Sequence, residues 1–195
     1  MIGYKIGCIG PAIIAQFGMS GPIRGRLFAS ERGASGDCVA AAGYVNLAIE
    51  GEMAVRIGDG GRITAAHPVI ELHDFVFPAG QRTLPALIAR NGFNTGVIVP
   101  NPTHVKPLQD WSAAAAMTIL VNGTAIDSGP LWGFAGAAEE ALAWLTSSLA
   151  EEGLGPGPGD LILTGTRLRL HPVRPGDNVE IAIDGAVCVT CSITS

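Results

Sequence analysis

The strongest constraint on the fold is the run "NLAIEGEMAVRIGD", residues 46–59, which places Glu50 and Glu52 among apolar residues. Such a run is typical of a β-strand, in which residues two apart point to the same face. Two like charges therefore share one face of a strand whose other residues favour burial. One interpretation is a solvated face with Met53 and Val55 turned inward; the other is a functional site.

A second acidic run, "HPVIELHDFVF", carries Glu71 and Asp74. Carboxylates that arrive from two neighbouring strands repel one another unless a multivalent cation lies between them. Mg²⁺ and Mn²⁺ take oxygen ligands in octahedral geometry and usually keep positions for water or substrate. The residues Glu50, Glu52 and Glu71 therefore predict a divalent-metal site with open positions for a bidentate 2-oxo acid.

The bulk composition limits the class of protein. The 195 residues are 48% hydrophobic and 15% charged, with a net charge of -5, whereas an average domain has roughly 25% charged residues. This predicts a large core or apolar surface hidden in a homo-oligomer. The negative charge argues against nucleic acid as a partner. No secretory signal or membrane-spanning stretch is evident, which favours a cytoplasmic protein.

The element pattern predicts a single α+β domain that is mostly β. Strands are predicted at 44–58 and 62–77, the latter bounded by "PAGQ", and again in "TGVIVPNP". Asn122-Gly123 predicts a two-residue type I′ hairpin turn. One long helix is predicted in "GAAEEALAWLTSSLAEEG", ended by Gly153. Its apolar stripe consists of Ala138, Ala141, Leu142, Leu145 and Leu149.

The cysteines and histidines give weaker signals. Cys188 and Cys191 form a CxxC within a predicted strand, where positions three apart face opposite sides, so all four cysteines are predicted to be reduced thiols. His73 is interpreted as a structural residue that points away from Glu71.

Four segments, "GYKIGCIGPAIIAQFG", "IEGEMAVRIGD", "PVIELHD" and "GDLILTGT…PVRPGDNVEI", occur in an order that resembles the fumarylacetoacetate hydrolase superfamily. Within it, the chain looks most like the branch of 2-keto-4-pentenoate hydratases and 4-oxalocrotonate decarboxylases. The resemblance implies a mixed β-roll fold. It also implies metal binding by Glu50, Glu52 and Glu71, and catalytic roles for Lys5 and Asp74.

Substrate contacts are predicted in two further segments. "ARNGFNTG" resembles a substrate-binding segment of the family, which implies roles for Asn91 and Thr95, although Asn and Gly suit a simple turn equally well. In "LTGT", Thr164 and Thr166 could bind substrate, with Gly165 allowing close backbone approach.

The predicted activity is a metal-dependent hydratase acting on 2-hydroxypenta-2,4-dienoate-like acids. A decarboxylase or diketo-acid hydrolase remains open, as does a catalytically silent partner subunit or small-acid binding module. Arg167 and Arg169 could bind a second substrate carboxylate or simply face solvent. The resemblance implies a helical segment before Lys5, so residues 1–195 are expected to form one catalytic domain without that segment.

Overall fold

The computed structural model describes residues 1–77 and 82–195, and two β-sheets dominate it. The "PAGQ" boundary predicted at 78–81 lies outside the described residues. The strands are β1 (Gly3–Gly7), β2 (Ile23–Leu27), β3 (Arg32–Ala34), β4 (Cys38–Ala40), β5 (Leu47–Ile57), β6 (Ile63–Asp74), β7 (Asn94–Val99), β8 (Met117–Val121), β9 (Thr124–Gly129), β10 (Leu161–Leu163), β11 (His171–Pro172), β12 (Asn178–Ile183) and β13 (Ala186–Thr194).

The large sheet has the strand order β2-β1-β10-β5-β6-β7-β3, and β11 also pairs with β5. Its centre is the long antiparallel pair β5–β6, joined by a glycine-rich turn at 58–61. Strand β1 runs parallel to β10, which lies antiparallel to β5. Only β10 therefore lies between β1 and the β5–β6 hairpin, which carries Glu50, Glu52 and Glu71.

The small sheet has the order β4-β13-β12-β8-β9. Its β8–β9 hairpin turns at Asn122 and Gly123, whose φ angles are 54° and 74°. Two consecutive positive φ values define the type I′ turn, so this prediction is confirmed.

Three helices complete the described fold: α1 (Pro11–Phe17), α2 (Leu84–Ala89) and α3 (Ala137–Ala150). The predicted long helix is α3, and four of its five predicted stripe residues are buried, whereas Leu142 is half-buried. Gly18 ends α1 in the left-handed conformation, which glycine adopts readily. No helix among the described residues is long and apolar enough to span a membrane.

The main core lies between the two sheets and under α3. Ile49, Met53 and Val55 of β5 pack there with residues of the small sheet. Gly51 allows the sheets to approach closely, because a Cβ atom at this position would lie 2.9 Å from Cδ1 of Ile181. The opposite face of β5 therefore carries Glu50 and Glu52.

The four cysteines are free thiols, as predicted: Cys188 and Cys191 are buried, Cys8 is half-buried and Cys38 is exposed. The predicted mostly β architecture with one long helix is confirmed. These two sheets present the acidic face of β5 and β6 away from the core that they share.

Candidate metal centre and active site

Strand register brings the predicted carboxylates together. Glu50 and Glu71 are direct partners across the β5–β6 pair, and Glu52 is two residues further along β5. The exposed fraction is 1% for Glu52 and 0% for Glu71. Glu52 and Glu71 are thus buried and Glu50 is half-buried, so the solvated-face interpretation is wrong.

The two oxygens of the Glu71 carboxylate have different partners. Oε1 lies 2.7 Å from Nζ of Lys5 and accepts a hydrogen bond of 2.8 Å from Nδ2 of Asn94. Oε2 accepts no aligned hydrogen bond from any described residue, and it faces His73 at 3.5 Å. One oxygen thus holds the lysine, and the other is free to bind a cation.

The interpretation that His73 points away from Glu71 was wrong. Residues two apart on a strand share a face, so His73 lies on the acidic face of β6 beside Glu71. Its Nε2 atom lies 3.2 Å from Oε2 of Glu50. The position was recoverable from the sequence by counting along the strand correctly.

Glu52 is held by the segment that contains the predicted substrate-binding residues. Its Oε1 atom accepts a hydrogen bond from the backbone N–H of Gly165. Gly165 has a φ of 84°, a conformation that favours glycine. Burial and the neighbouring carboxylate of Glu71 raise the pKa of Glu52 well above its ordinary value.

The same carboxylates, Glu71 and Glu50, raise the pKa values of both Lys5 and His73. Burial alone would lower the pKa of Lys5, but Glu71 and Glu50 raise it to a net value above the ordinary one. Burial likewise opposes the charged form of His73, but Glu71 and Glu50 raise its pKa to about 9. In return, Lys5 and His73 outweigh the effect of burial on Glu71 and lower its pKa well below the ordinary range.

The donor atoms fit a divalent cation. One ligand atom each from Glu50, Glu71 and His73 lies within 4.8 Å of the other two. Oε2 of Glu71 and both ring nitrogens of His73 are buried without aligned hydrogen bonds among the described residues. Buried polar atoms are normally satisfied, so the unpartnered oxygen of Glu71 is available to a cation, and His73 can join it once the imidazole loses its proton. Glu52 lies beside this group, and its predicted role as a ligand stays a prediction.

A cavity of about 740 Å³ opens onto the cluster. Lys5, Glu50, Glu52 and His73 line its floor, and fully buried Glu71 lies behind them. The aromatic side chains on its wall are Phe17, Phe75, Phe77 and Phe93, and the arginines on its wall are Arg82, Arg167 and Arg169. Neither the aromatic residues nor Arg82 were predicted from the sequence.

The predicted substrate-binding residues are placed differently from one another. Thr166 lines the cavity, whereas Thr164 is buried and donates a 2.8 Å hydrogen bond to the carbonyl oxygen of Met53. Asn91 bonds the backbone N–H and carbonyl of Arg26 at 2.7 and 2.8 Å. Through these contacts, Thr164 and Asn91 hold neighbouring backbone segments in place. Their roles in substrate binding stay predictions.

Thr95 and Asp74 are not among the described residues that line the cavity. The Oδ1 atom of Asp74 accepts hydrogen bonds from the backbone N–H groups of Val45 at 3.1 Å and Asn46 at 2.7 Å. These bonds fix the chain where it enters β5. They indicate a positioning role for Asp74, and its predicted catalytic role stays a prediction.

Comparison with known proteins gives a consistent set of matches. A family model described as fumarylacetoacetate (FAA) hydrolase C-terminal matches residues 28–194. A 2-hydroxyhexa-2,4-dienoate hydratase of Comamonas testosteroni is 30% identical over 99% of this chain and 77% of its own length. A 4-oxalocrotonate decarboxylase of a Pseudomonas species is 28% identical over 99% of this chain and 78% of its own length.

Solved structures show the same fold. The 4-oxalocrotonate decarboxylase from Pseudomonas putida G7, complexed with magnesium and adipate, matches with a TM-score of 0.88 and 24% identity, over 99% of this chain and 78% of that one. Fumarylpyruvate hydrolase from Pseudomonas aeruginosa, in complex with Mn²⁺ and pyruvate, matches with a TM-score of 0.69 and 16% identity, over 98% and 88% of the two chains.

Proposed function

Because this chain belongs to the fumarylacetoacetate hydrolase family, we propose that it is a divalent-metal-dependent hydratase of 2-hydroxypenta-2,4-dienoate-like acids. The observation that carries the proposal is the cavity floor, where a buried lysine meets a cluster of carboxylates and a histidine. Relatives that cover most of the chain are named as hydratases and decarboxylases, which supports the same reaction class.

The cation would be held by Glu50 and Glu71, with Glu52 and His73 beside them, and Mg²⁺ or Mn²⁺ is the proposed ion. When bound, such an ion supplies Lewis-acid stabilisation of negative charge that develops on a chelated 2-oxo acid. The carboxylate and the 2-oxygen of the substrate form the natural chelating end, because hard cations take oxygen ligands.

Lys5 is proposed to move the proton. Its Nζ atom is on the cavity floor, and its raised pKa keeps it an ammonium ion at neutral pH. The ammonium group can deliver a proton to the carbon chain of the dienol, and the amine that remains can take up the proton of the enol hydroxyl, which gives the keto form and restores the ammonium ion. Water then adds across the remaining conjugated double bond.

The rest of the cavity suits a short unsaturated acid. The phenylalanine rings on its wall, such as Phe75 and Phe93, exclude water from the carbon chain. Thr166 and the backbone of Gly165 are proposed to contact the substrate. Asn91, Thr95 and Thr164 are proposed to support it less directly, since they are not among the described residues that line the cavity.

A decarboxylase of 2-oxo-hexenedioate-type acids is the second candidate. The observation that favours it is that Arg82 and Arg167 line the cavity, since a guanidinium group pairs well with a second carboxylate. Nε of Arg167 donates to the carbonyl oxygen of Gly133 at 2.8 Å, which orients its guanidinium group within the cavity lining. A diketo-acid hydrolase and a silent partner subunit are alternatives without an observation of this kind.

Lys5→Met tests the proposal, because methionine keeps the length of the apolar stem and removes the proton donor. We expect turnover of 2-hydroxypenta-2,4-dienoate by the Mn²⁺- or Mg²⁺-loaded protein to fall by about 10²–10⁴-fold, the usual contribution of general acid–base catalysis. Lys106→Met is the matched control, because Lys106 is the other lysine of the sequence and is exposed.

The same assay with 2-oxo-hex-3-enedioate, followed by release of CO₂, separates the hydratase from the decarboxylase. Metal binding without turnover of either acid would favour the silent subunit. Unchanged turnover in Lys5→Met would remove the proposed role of the lysine. A cytoplasmic location, assembly into homo-oligomers and the extent of the catalytic domain over residues 1–195 stay predictions.

A further inference from the structure

We propose that His73 binds the divalent cation directly through Nε2, together with Glu50 and Glu71, so that the site prefers Mn²⁺, Fe²⁺ or Co²⁺ to Mg²⁺. The proposal deepens the proposed function and rests on its divalent-metal site. It replaces the all-carboxylate ligand set expected from the sequence by a mixed set of oxygen and nitrogen.

The first argument is the orientation of the imidazole ring. Nε2 lies 3.2 Å from Oε2 of Glu50 and 3.5 Å from Oε2 of Glu71. Despite this proximity, neither ring nitrogen of His73 makes an aligned hydrogen bond within the described part of the chain. The side chain is only 4% exposed, so water does not readily replace the absent partner. The donor atoms thus lie next to one another without pointing at one another.

The second argument is the spacing of these atoms. Ligands bound at about 2.1 Å in an octahedral sphere lie about 3 Å apart when they are adjacent. The distances of 3.2 and 3.5 Å from Nε2 to the two carboxylate oxygens are close to that separation. Neighbouring ligands of one ion show this pattern, because each points toward the common centre.

The third argument is that some of the glutamate oxygens already have hydrogen-bond or ion-pair partners within the protein. Oε1 of Glu52 is held by the N–H of Gly165, and Oε1 of Glu71 is held by Lys5 and Asn94. Oε2 of Glu71 carries no such restraint among the described contacts. Once the imidazole has lost its proton, the nitrogen of His73 therefore adds a neutral donor to a site in which two carboxylate oxygens are already engaged.

A nitrogen ligand has a consequence for metal choice. Imidazole binds transition metals well, and affinity at a mixed site rises from Mn²⁺ through Fe²⁺ to Co²⁺. Mg²⁺ prefers oxygen and gives up its water reluctantly, so it gains less from the imidazole. His73 therefore acts as the residue that determines which ion occupies the centre.

Pulsed electron paramagnetic resonance of the full chain, stripped of metal and loaded with Mn²⁺, tests this directly. A coordinated histidine nitrogen gives a ¹⁴N coupling, which changes to a ¹⁵N coupling when histidine is ¹⁵N-labelled. We expect the coupling in the unmodified protein and its loss in His73→Gln. His67→Gln is the matched control, because His67 is also buried in β6 but lies four residues before Glu71.

Metal titrations give the second readout. In a His73→Gln protein whose circular dichroism shows an intact fold, we expect Co²⁺ affinity to fall at least about tenfold, as even indirect partners of metal ligands typically contribute that much. Mg²⁺ affinity should change much less. His104→Gln provides a second control if His67→Gln does not fold.

The outcomes separate this proposal from the proposed function. A histidine coupling without turnover would support the ligand set and count against the hydratase. Turnover without any histidine coupling in Mn²⁺-loaded protein, or a coupling that survives in His73→Gln, would overturn the role of His73 and leave the hydratase standing. Equal losses of Mg²⁺ and Co²⁺ affinity would overturn the inference about metal choice.

Discussion

One face of the β5–β6 pair packs against the small sheet through apolar side chains such as Ile49 and Met53, and the other carries Glu50, Glu52 and Glu71. The two faces are made from alternating residues of the same two strands. On the apolar face, burial lowers the free energy of the folded chain with no further partner. On the acidic face, each buried charge costs several kcal/mol unless it is paired.

Within this one pair of strands, the apolar face stabilises the fold and the acidic face forms the candidate active site. The apolar face holds the backbone rigid, so that charges that repel one another are kept at fixed positions on the opposite face. Lys5 and His73 offset part of that repulsion in the metal-free protein. Changes to the two faces should therefore affect different measured quantities.

The largest effect is expected from Glu71→Gln, which keeps the side-chain shape but removes the charge shared by Lys5 and the cation site. Turnover should fall by at least about 10²-fold, as it does when one preorganised electrostatic partner is lost. Because Lys5 loses its ion-pair partner, the free energy of unfolding of the metal-free protein should also fall by about 3–5 kcal/mol. Steady-state kinetics and urea unfolding measure the two losses. Normal turnover would show that the acidic face is not the reacting surface.

The counterpart on the apolar face is Met53→Ala. Met53 is fully buried, so the cavity left behind should lower the free energy of unfolding by about 2–5 kcal/mol. Affinity for Mn²⁺ should not change, because the side chain lies on the opposite face from the carboxylates. Urea unfolding and a Mn²⁺ titration test both statements. A large loss of metal affinity in the folded variant would mean that the two faces are not independent.

The smallest effect concerns the pH dependence of stability in the metal-free protein. The pKa of His73 is about 9 in the folded chain, above its ordinary value of 6.5. A raised pKa stabilises the fold fully below about pH 6.5, and this contribution is lost as the pH rises to about 9. Urea unfolding between these pH values should show the decline. His73→Gln should lack this part of the slope, and an identical slope in both proteins would contradict the assignment.

Much of the fold could be predicted from the sequence because the signals are local. The β8–β9 turn follows from the preference of Asn122-Gly123 for positive φ, and α3 follows from its apolar stripe. The resemblance to the hydratase and decarboxylase branch of the fumarylacetoacetate hydrolase superfamily was likewise present in short motifs, and the comparisons confirmed it.

The site was only partly predictable because it depends on strand order. Alternation along β5 puts Glu50 and Glu52 on one face, and the same rule, applied correctly to β6, would have placed His73 beside Glu71. Nothing local places Lys5 next to Glu71, since that contact requires β10 to lie between β1 and β5. The hydrogen bond from Gly165 to Glu52 depends on the same long-range arrangement.

The position of β1 bears on how the protein is made. Strand β1 is synthesised long before its neighbour β10 (Leu161–Leu163), beside which it docks. A nascent chain on the ribosome therefore completes its acidic hairpin before β10 is available to hold the ammonium group of Lys5 beside it. We expect the active centre to be completed among the last events of synthesis, so that truncated chains remain unable to assemble it.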